Sequence, residues 1–278
     1  MSNSSMETGL APRGASAWRW GMALAVSAAL LGGCSSLPGT EGASTEITTE
    51  SDESPARKRA RIRLELAVGY FEQGRTEIAL DEVKQALVID PTYAAAFNLR
   101  GLVYMRLNDM RQAEDSLRRA IALDPRDSDA LHNYAWLLCQ QGRFEPSFQA
   151  FRQALANPLY AGRAKTYMGQ GLCLARAGRM EEAEQSLARS YELDAANPVT
   201  GYNLAALLLR RGELQRAQFY IRRLNNSELA NAESLWLGIR IEDRVGDRVA
   251  REQLGDQLRR RFPQSRELAL YEKGTFHE

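Results

Sequence analysis

Cysteine and histidine are scarce in this chain: three cysteines (Cys34, Cys139, Cys173) and two histidines (His132, His277) among 278 residues. No CxxC pair and no HExxH stretch is present, which removes the common frameworks of a zinc site. A glycine-rich phosphate loop is missing too, and neither histidine has a serine or cysteine partner fixed by a motif. An excess of either charge is also lacking, since 36 basic residues face 35 acidic ones for a formal net charge of +1. A dedicated nucleic-acid binder concentrates basic residues, so that class is disfavoured. These absences predict a protein that is not an enzyme, with no metal or cofactor and no small-molecule substrate.

Long apolar runs are equally rare. One, GMALAVSAALL over residues 21–31, has 11 residues and follows a polar start carrying Arg13 and Arg19 against the single acid Glu7. It is too short for the roughly 30 Å bilayer core, which takes ~20 helical residues, and has the length of a signal-peptide core. The run ends in Leu31-Gly32-Gly33-Cys34, which resembles a bacterial lipobox. The plainer alternative is an ordinary signal peptide cleaved near Gly33 beside an incidental cysteine. By the lipobox resemblance, residues 1–33 are removed, and Cys34 becomes the first residue of the mature chain. It then carries covalent diacylglycerol on its sulfur and an acyl chain on its nitrogen. Ser35, rather than Asp, follows the cysteine, and by the same resemblance this favours the outer membrane. Residues 35–59 are rich in Ser, Thr, Glu, Gly and Pro, with Leu37 and Ile47 as the only large apolar residues. Such a stretch buries too little surface to fold, so residues 34–59 are expected to form a lipidated cysteine and flexible linker, roughly 25–30 Å long on average.

From Ala60 the chain repeats itself. Tyr70, Ala79, Ala86 and Pro91 recur as Tyr104, Ala113, Ala120 and Pro125, each 34 residues on. Unit starts at 60, 94, 128, 164, 198 and 232 give steps of 34 except for one of 36, where Asn157-Pro158-Leu159-Tyr160 lengthens a loop. The pattern resembles six tetratricopeptide repeats over residues 60–265, an all-α superhelix of helix–turn–helix units, followed by a tail over 266–278. Position 15 of the units is Gly74, Asn108, Gly142, Gly178, Gly212 and Gly246, the residue types that reverse a chain in a left-handed conformation. Position 20 is Ala79, Ala113, Ser147, Ala183 and Ala217, small enough for close helix approach. Arg251 breaks that rule in the sixth unit, which is expected to act as a looser cap. Pro91, Pro125 and Pro263 stop second helices, whereas Pro146 falls in a first turn, where proline is tolerated.

In repeats of this kind, positions 2, 5, 9 and 12 of the first helix line a concave groove. Here they include Leu64, Val68 and Phe71, then Leu102 and Met105, then His132 and Trp136. Met168, Leu172, Tyr202, Leu209 and Trp236 continue the series. This apolar strip with aromatic and methionine adaptors suits an amphipathic segment. It lacks the Lys and Asn of a carboxylate clamp, since Leu64 and Val68 stand at those positions. His132 reads as a contact or partly buried residue rather than a catalytic base. Cys139 and Cys173, at positions 12 and 10 of neighbouring first helices, are expected to be buried free thiols. A disulfide would need those helices to approach unusually closely.

Some stretches go beyond the generic repeat. LHNYAWLLCQQGRFE (131–145) with NPLY (157–160), and NAESLWLGIRIEDRVGD (231–247) with LRRRFPQS (258–265), resemble the type IV pilus biogenesis and stability lipoproteins, the PilF/PilW pilotin group. The six units, the place of the two-residue expansion and the lipobox agree with this. The resemblance implies an adaptor anchored through Cys34 at the periplasmic face of the outer membrane. Its partner there would be the pilus secretin, which it helps to localise and multimerise. Tetratricopeptide lipoproteins of similar size also serve outer-membrane protein assembly and peptidoglycan enzymes, which is the alternative.

Overall fold

Every unit start found in the sequence becomes a helix pair in the computed structural model, which describes residues 52–276. The signal-peptide segment 1–33, Cys34 and the linker as far as residue 51 lie outside the described residues. Residues 48–278 form one compact unit. The first three pairs are α1 (Pro55–Glu72) with α2 (Thr76–Ile89), α3 (Ala94–Arg106) with α4 (Met110–Leu123), and α5 (Ser128–Gln140) with α6 (Phe144–Leu155). Then follow α7 (Arg163–Arg176) with α8 (Met180–Leu193), α9 (Pro198–Arg210) with α10 (Leu214–Asn225), and α11 (Ala232–Val245) with α12 (Arg248–Arg261). A last helix, α13 (Arg266–Lys273), packs on α11 and α12. The described residues contain no strand.

The turn inside each pair is where the sequence placed it. Gly74, Asn108, Gly142, Gly178, Gly212 and Gly246 all have positive φ, from 61° at Asn108 to 88° at Gly246. Three of the second helices end on residues whose backbone has left the helical region, with φ −137° at Asp90 and Asp124 and −135° at Phe262. Each precedes a proline whose ring disfavours helical backbone behind it. Pro146 sits inside the first turn of α6 without breaking it.

Close approach within a pair follows from side-chain size. Ala79, Ala113, Ser147, Ala183 and Ala217 are completely buried, and Ser147 Oγ donates to the carbonyl of Ala135 at 2.7 Å. A β-carbon on Gly101 would sit 2.5 Å from Cγ of Leu117, and one on Gly171 would sit 2.7 Å from Cγ of Leu187. Val83, Leu117, Phe151, Leu187 and Ile221 fill the space between pairs at 0–1 % exposure. Each contributes about 1.5–3 kcal/mol of burial. In the sixth unit, Arg251 replaces the small residue and pairs with Asp243 at 2.7 Å.

Both ends of the array depart from the expected boundaries. α1 begins at Pro55, ahead of the register start at 60, because Ser54 accepts from the amide of Arg57 at 3.1 Å and proline occupies the first turn. The polar composition of this stretch hides a cap signature. The supposed tail holds α13, capped by Ser265 at 3.1 Å from the amide of Leu268 and stopped by Gly274 at φ 69°. Leu268 is buried, and Tyr271 lies against Gly255, where any side chain would collide with its ring.

The expectation of free thiols is overturned. Cys139 on α5 and Cys173 on α7 form a disulfide with their Cα atoms 5.8 Å apart. Two local features allow the approach. The expansion at 157–160 slides position 10 of α7 alongside position 12 of α5. Gly169 then offers no side chain at the contact, where a β-carbon would lie 3.3 Å from Phe151 and 3.4 Å from His132.

Candidate functional site: the inner strip

Each second helix packs on its own first helix and on the next unit's first helix, while the backbones of successive second helices stay apart. α8 and α10 meet through long side chains, such as Arg216 with Glu184 at 2.7 Å and the Tyr191 and Tyr220 rings. First helices do touch their successors, α1 to α3 and onward to α11. The array therefore curves toward its first helices, and their free faces form its inner surface.

Most of the predicted strip lies there, half-buried. Trp136, Met168, Leu172, Tyr202 and Leu209 lean on one continuous core running through units three to six. Phe71 packs at the first unit and Met105 at the second, with Leu102 half-buried beside it. Val68 is the most open, at 39 % exposure. The Arg106 guanidinium stacks 3.6 Å from the Phe71 ring centre and donates to the Phe71 carbonyl, joining the first two units. At the far end, Trp236 meets Phe276 with ring centres 6.0 Å apart. There a hollow of about 330 Å³ opens between Tyr202, Trp236, Arg266, Leu270 and neighbouring acids.

Two predicted groove residues do not face the groove. Leu64 is buried in the first-unit core, at 9 % exposure. His132 is 6 % exposed and belongs to a hydrogen-bonded chain. Its Nδ1 lies 3.0 Å from Thr166 Oγ1, which also donates to the carbonyl of Gly162 at 3.0 Å. Thr166 is 3.5 Å from the Tyr160 hydroxyl, which donates to Asp129 Oδ1 at 2.8 Å. Burial, helped by nearby Lys165, pulls the His132 pKa down to about 3, so the ring is neutral. Burial also raises the Tyr160 hydroxyl well above its usual range, reinforced by Asp129. Thr166 is fully buried, so this pairing of hydroxyl and imidazole has no access to substrate. It is a strut between α5 and α7.

Sequence reasoning missed this strut, although Tyr160 of NPLY was its visible end. It missed a second feature for a similar reason. Position 11 is Tyr or Leu in units one to five but Glu242 in unit six. That carboxylate is completely buried. It accepts from Arg222 Nε at 2.7 Å and Nη2 at 2.9 Å, and from Gln218 at 2.7 Å. A charge at an otherwise apolar register position was the available signal. Among the described residues, no group of three or more His, Cys, Asp or Glu could hold a metal ion.

Known proteins agree with this architecture. Residues 69–108 match the family model of the TPR repeat, and residues 98–164 and 149–198 match that of the tetratricopeptide repeat. The type IV pilus assembly protein PilF of Pseudomonas aeruginosa is 30% identical over 229 residues, spanning 80% of this chain and 91% of that protein. The solved structure of Pseudomonas aeruginosa PilF superposes with a TM-score of 0.70 at 30% identity, over 78% of this chain and 99% of that one. That of PilW, described as a widely conserved type IV pilus biogenesis factor, superposes with a TM-score of 0.71 at 29% identity, over 77% and 98%.

Proposed function

Because the chain belongs to the PilF/PilW family of tetratricopeptide proteins of type IV pilus biogenesis, we propose that it is an adaptor for the pilus secretin. Its anchor is Cys34, acylated at the periplasmic face of the outer membrane, and its docking surface is the inner strip. There it promotes secretin localisation and multimerisation, and it does so by binding rather than by catalysis.

The observation that carries this reading is the run of half-buried apolar side chains along successive first helices, from Phe71 to Leu209. A partner helix or strand laid along it would complete their burial. The buried Cys139–Cys173 disulfide supports an oxidising compartment such as the periplasm. Two or more acyl chains hold a protein on a bilayer, so the groove itself needs only moderate affinity, because anchoring concentrates the partner.

Fractionating the secretin from cells with the protein, without it, and with Cys34→Ser tests the reading. The expected result is loss of heat- and detergent-resistant secretin multimers from the outer membrane in the deletion, and mislocalised secretin in Cys34→Ser. Unchanged multimers in the deletion would end the adaptor reading. Normal localisation in Cys34→Ser would make the lipid dispensable.

A further inference from the structure

Position 3 of the first helix is a buried position in units two to six. Ala96, Ala130, Thr166, Thr200 and Ser234 occupy it, each at 0 % exposure. It faces the second helix of the preceding unit, as the 3.1 Å contact between Thr200 Oγ1 and Ser190 Oγ illustrates. Position 10 behaves alike, with Val103, Leu137, Cys173, Leu207 and Ile241 at 0–5 %. The first unit has no predecessor among the described residues. Its position 3 is Ile62 at 56 % exposure, and Leu66, one turn on, is 45 % exposed. Its position 10 is Gly69, whose missing β-carbon would meet nothing within 4 Å. At the other end of the array, α13 covers the last pair. The bare face of α1 is thus apolar where an end cap exposed to water would be polar.

Charge marks what this face suits. Lys58 and Arg59 lie one turn before Ile62 on the same side of α1, and neither forms an ion pair among the described residues. The other cations of this helix are engaged: Arg57 with Asp90, Arg61 with Glu53 and Glu65, Arg63 with Glu82. Glu65, the acid at the edge of the face, is held by Arg61 at 3.0 Å. Two aliphatic side chains behind two free cations with long stems match a bilayer surface, whose phosphates pair with the cations while the methyl groups enter the acyl boundary. A second helix laid there would have to supply its own acids for Lys58 and Arg59. The position in the chain agrees, because only residues 35–54, 20 in number, separate Cys34 from α1. As a coil these would span about 25 Å.

We propose that the bare face of α1, Lys58, Arg59, Ile62 and Leu66, docks on the surface of an anionic phospholipid bilayer. It rests on the anchored-adaptor reading for where that bilayer is met, not for the surface itself. Two attachments, a lipid at Cys34 and a helix face, fix the array's tilt where one flexible attachment leaves it free.

Residues 48–278, compact in themselves and lacking Cys34, allow a test independent of the anchor. The assay is co-sedimentation with phosphatidylglycerol vesicles and with phosphatidylcholine vesicles at low salt. Each cation near an anionic surface strengthens binding about fivefold. The expected preference for phosphatidylglycerol is therefore at least about tenfold. Lys58→Glu with Arg59→Glu should remove that preference, and Ile62→Asp with Leu66→Asp should abolish retention on both vesicle types. All four side chains are exposed, so the melting temperature should stay put. No retention, equal retention on both lipids, or retention indifferent to these variants overturns the proposal. So does a dimer dispersed by Ile62→Asp with Leu66→Asp, which gives the face to a second copy. Loss of binding when residues 35–47 are restored also overturns it, by giving the face to the chain's own linker. None of these outcomes bears on acylation of Cys34, which the fractionation above reads separately.

Discussion

Removing the disulfide tests whether the junction between units three and four depends on it. The bond joins residues 34 apart in sequence. Closing a loop of that length restricts the unfolded chain by about 3–4 kcal/mol on the chain-entropy account. Cys139→Ala with Cys173→Ala removes the cross-link and leaves two small apolar side chains, adding little new polarity to a site at 0 % exposure. For a domain of this size, 1 kcal/mol moves the melting temperature by about 2–4 °C. The double variant should therefore melt about 10 °C lower and unfold at distinctly lower urea, followed by circular dichroism. It should gain nothing further from added reductant, whereas the parent protein unfolded in reductant should fall to the variant's level. An unreduced digest should yield the two peptides linked. If both cysteines react with a thiol reagent in denatured, unreduced protein, or if the variant lies within about 1 kcal/mol of the parent, the reasoning fails.

Three further outcomes follow from other sites. His132 is held neutral with its pKa near 3 against an ordinary 6.5. A depressed folded-state pKa gives stability that is full above pH 6.5 and lost as pH falls toward 3. Between pH 7 and 5 the loss is about 2 kcal/mol. His132→Gln should lack this slope in paired urea titrations, and an equal slope in both proteins would refute the assignment. Two helical glycines should respond oppositely to alanine. Gly69→Ala should stabilise by about 0.5–1 kcal/mol, as its surroundings are open. Gly171→Ala should destabilise by about 1 kcal/mol, because its β-carbon meets Leu187 Cγ at 2.7 Å and the Ala183 carbonyl at 3.1 Å. On the inner strip, Trp136→Ala should keep its helical content by circular dichroism yet weaken secretin capture about 30-fold, as truncating an aromatic anchor costs about 2 kcal/mol. Undiminished capture would move the docking surface elsewhere.

The repeat register was legible because it rests on backbone physics that one residue can signal. Position 15 needs a left-handed conformation, so Gly or Asn recurs there, and all six have positive φ. Position 20 needs a small side chain, and the five that have one are fully buried. The strip was legible only as a set of register positions. Register fixes which way a side chain points from its own helix but not how closely the next helix approaches. Hence Leu64 and His132, assigned to the groove, lie beneath it. The disulfide was missed for the same reason, since the approach of α5 to α7 depends on Gly169 and on a loop expansion whose effect has no local signature. The early start of α1 was hidden by polar composition, although Ser54 followed by Pro55 carried the signal.

The irregular junction explains why these missed features cluster. Four of the five steps between unit starts have the 34-residue spacing that lets identical positions pack identically, and the step into unit four does not. Extra length in the 157–160 loop would leave α7 free to slide along α5, and a slide would break the strip between Trp136 and Met168. Three links oppose it: the Cys139–Cys173 bond, the Thr166–His132 contact at 3.0 Å, and Tyr160 of the loop itself, tied to Asp129 at 2.8 Å. The first two cross from unit three to unit four, and the third fastens the expanded loop that joins them back onto α5. The loop that disturbs the register thus carries the side chain that helps fix it. At the preceding junction, where the spacing is regular, the side-chain hydrogen bond between the first helices is the one from Asn133 to Asn98 at 2.9 Å. Packing supplies the rest. The physical demand on the middle of the array is continuity of one surface across a change of spacing, and the covalent and polar links sit where that demand arises.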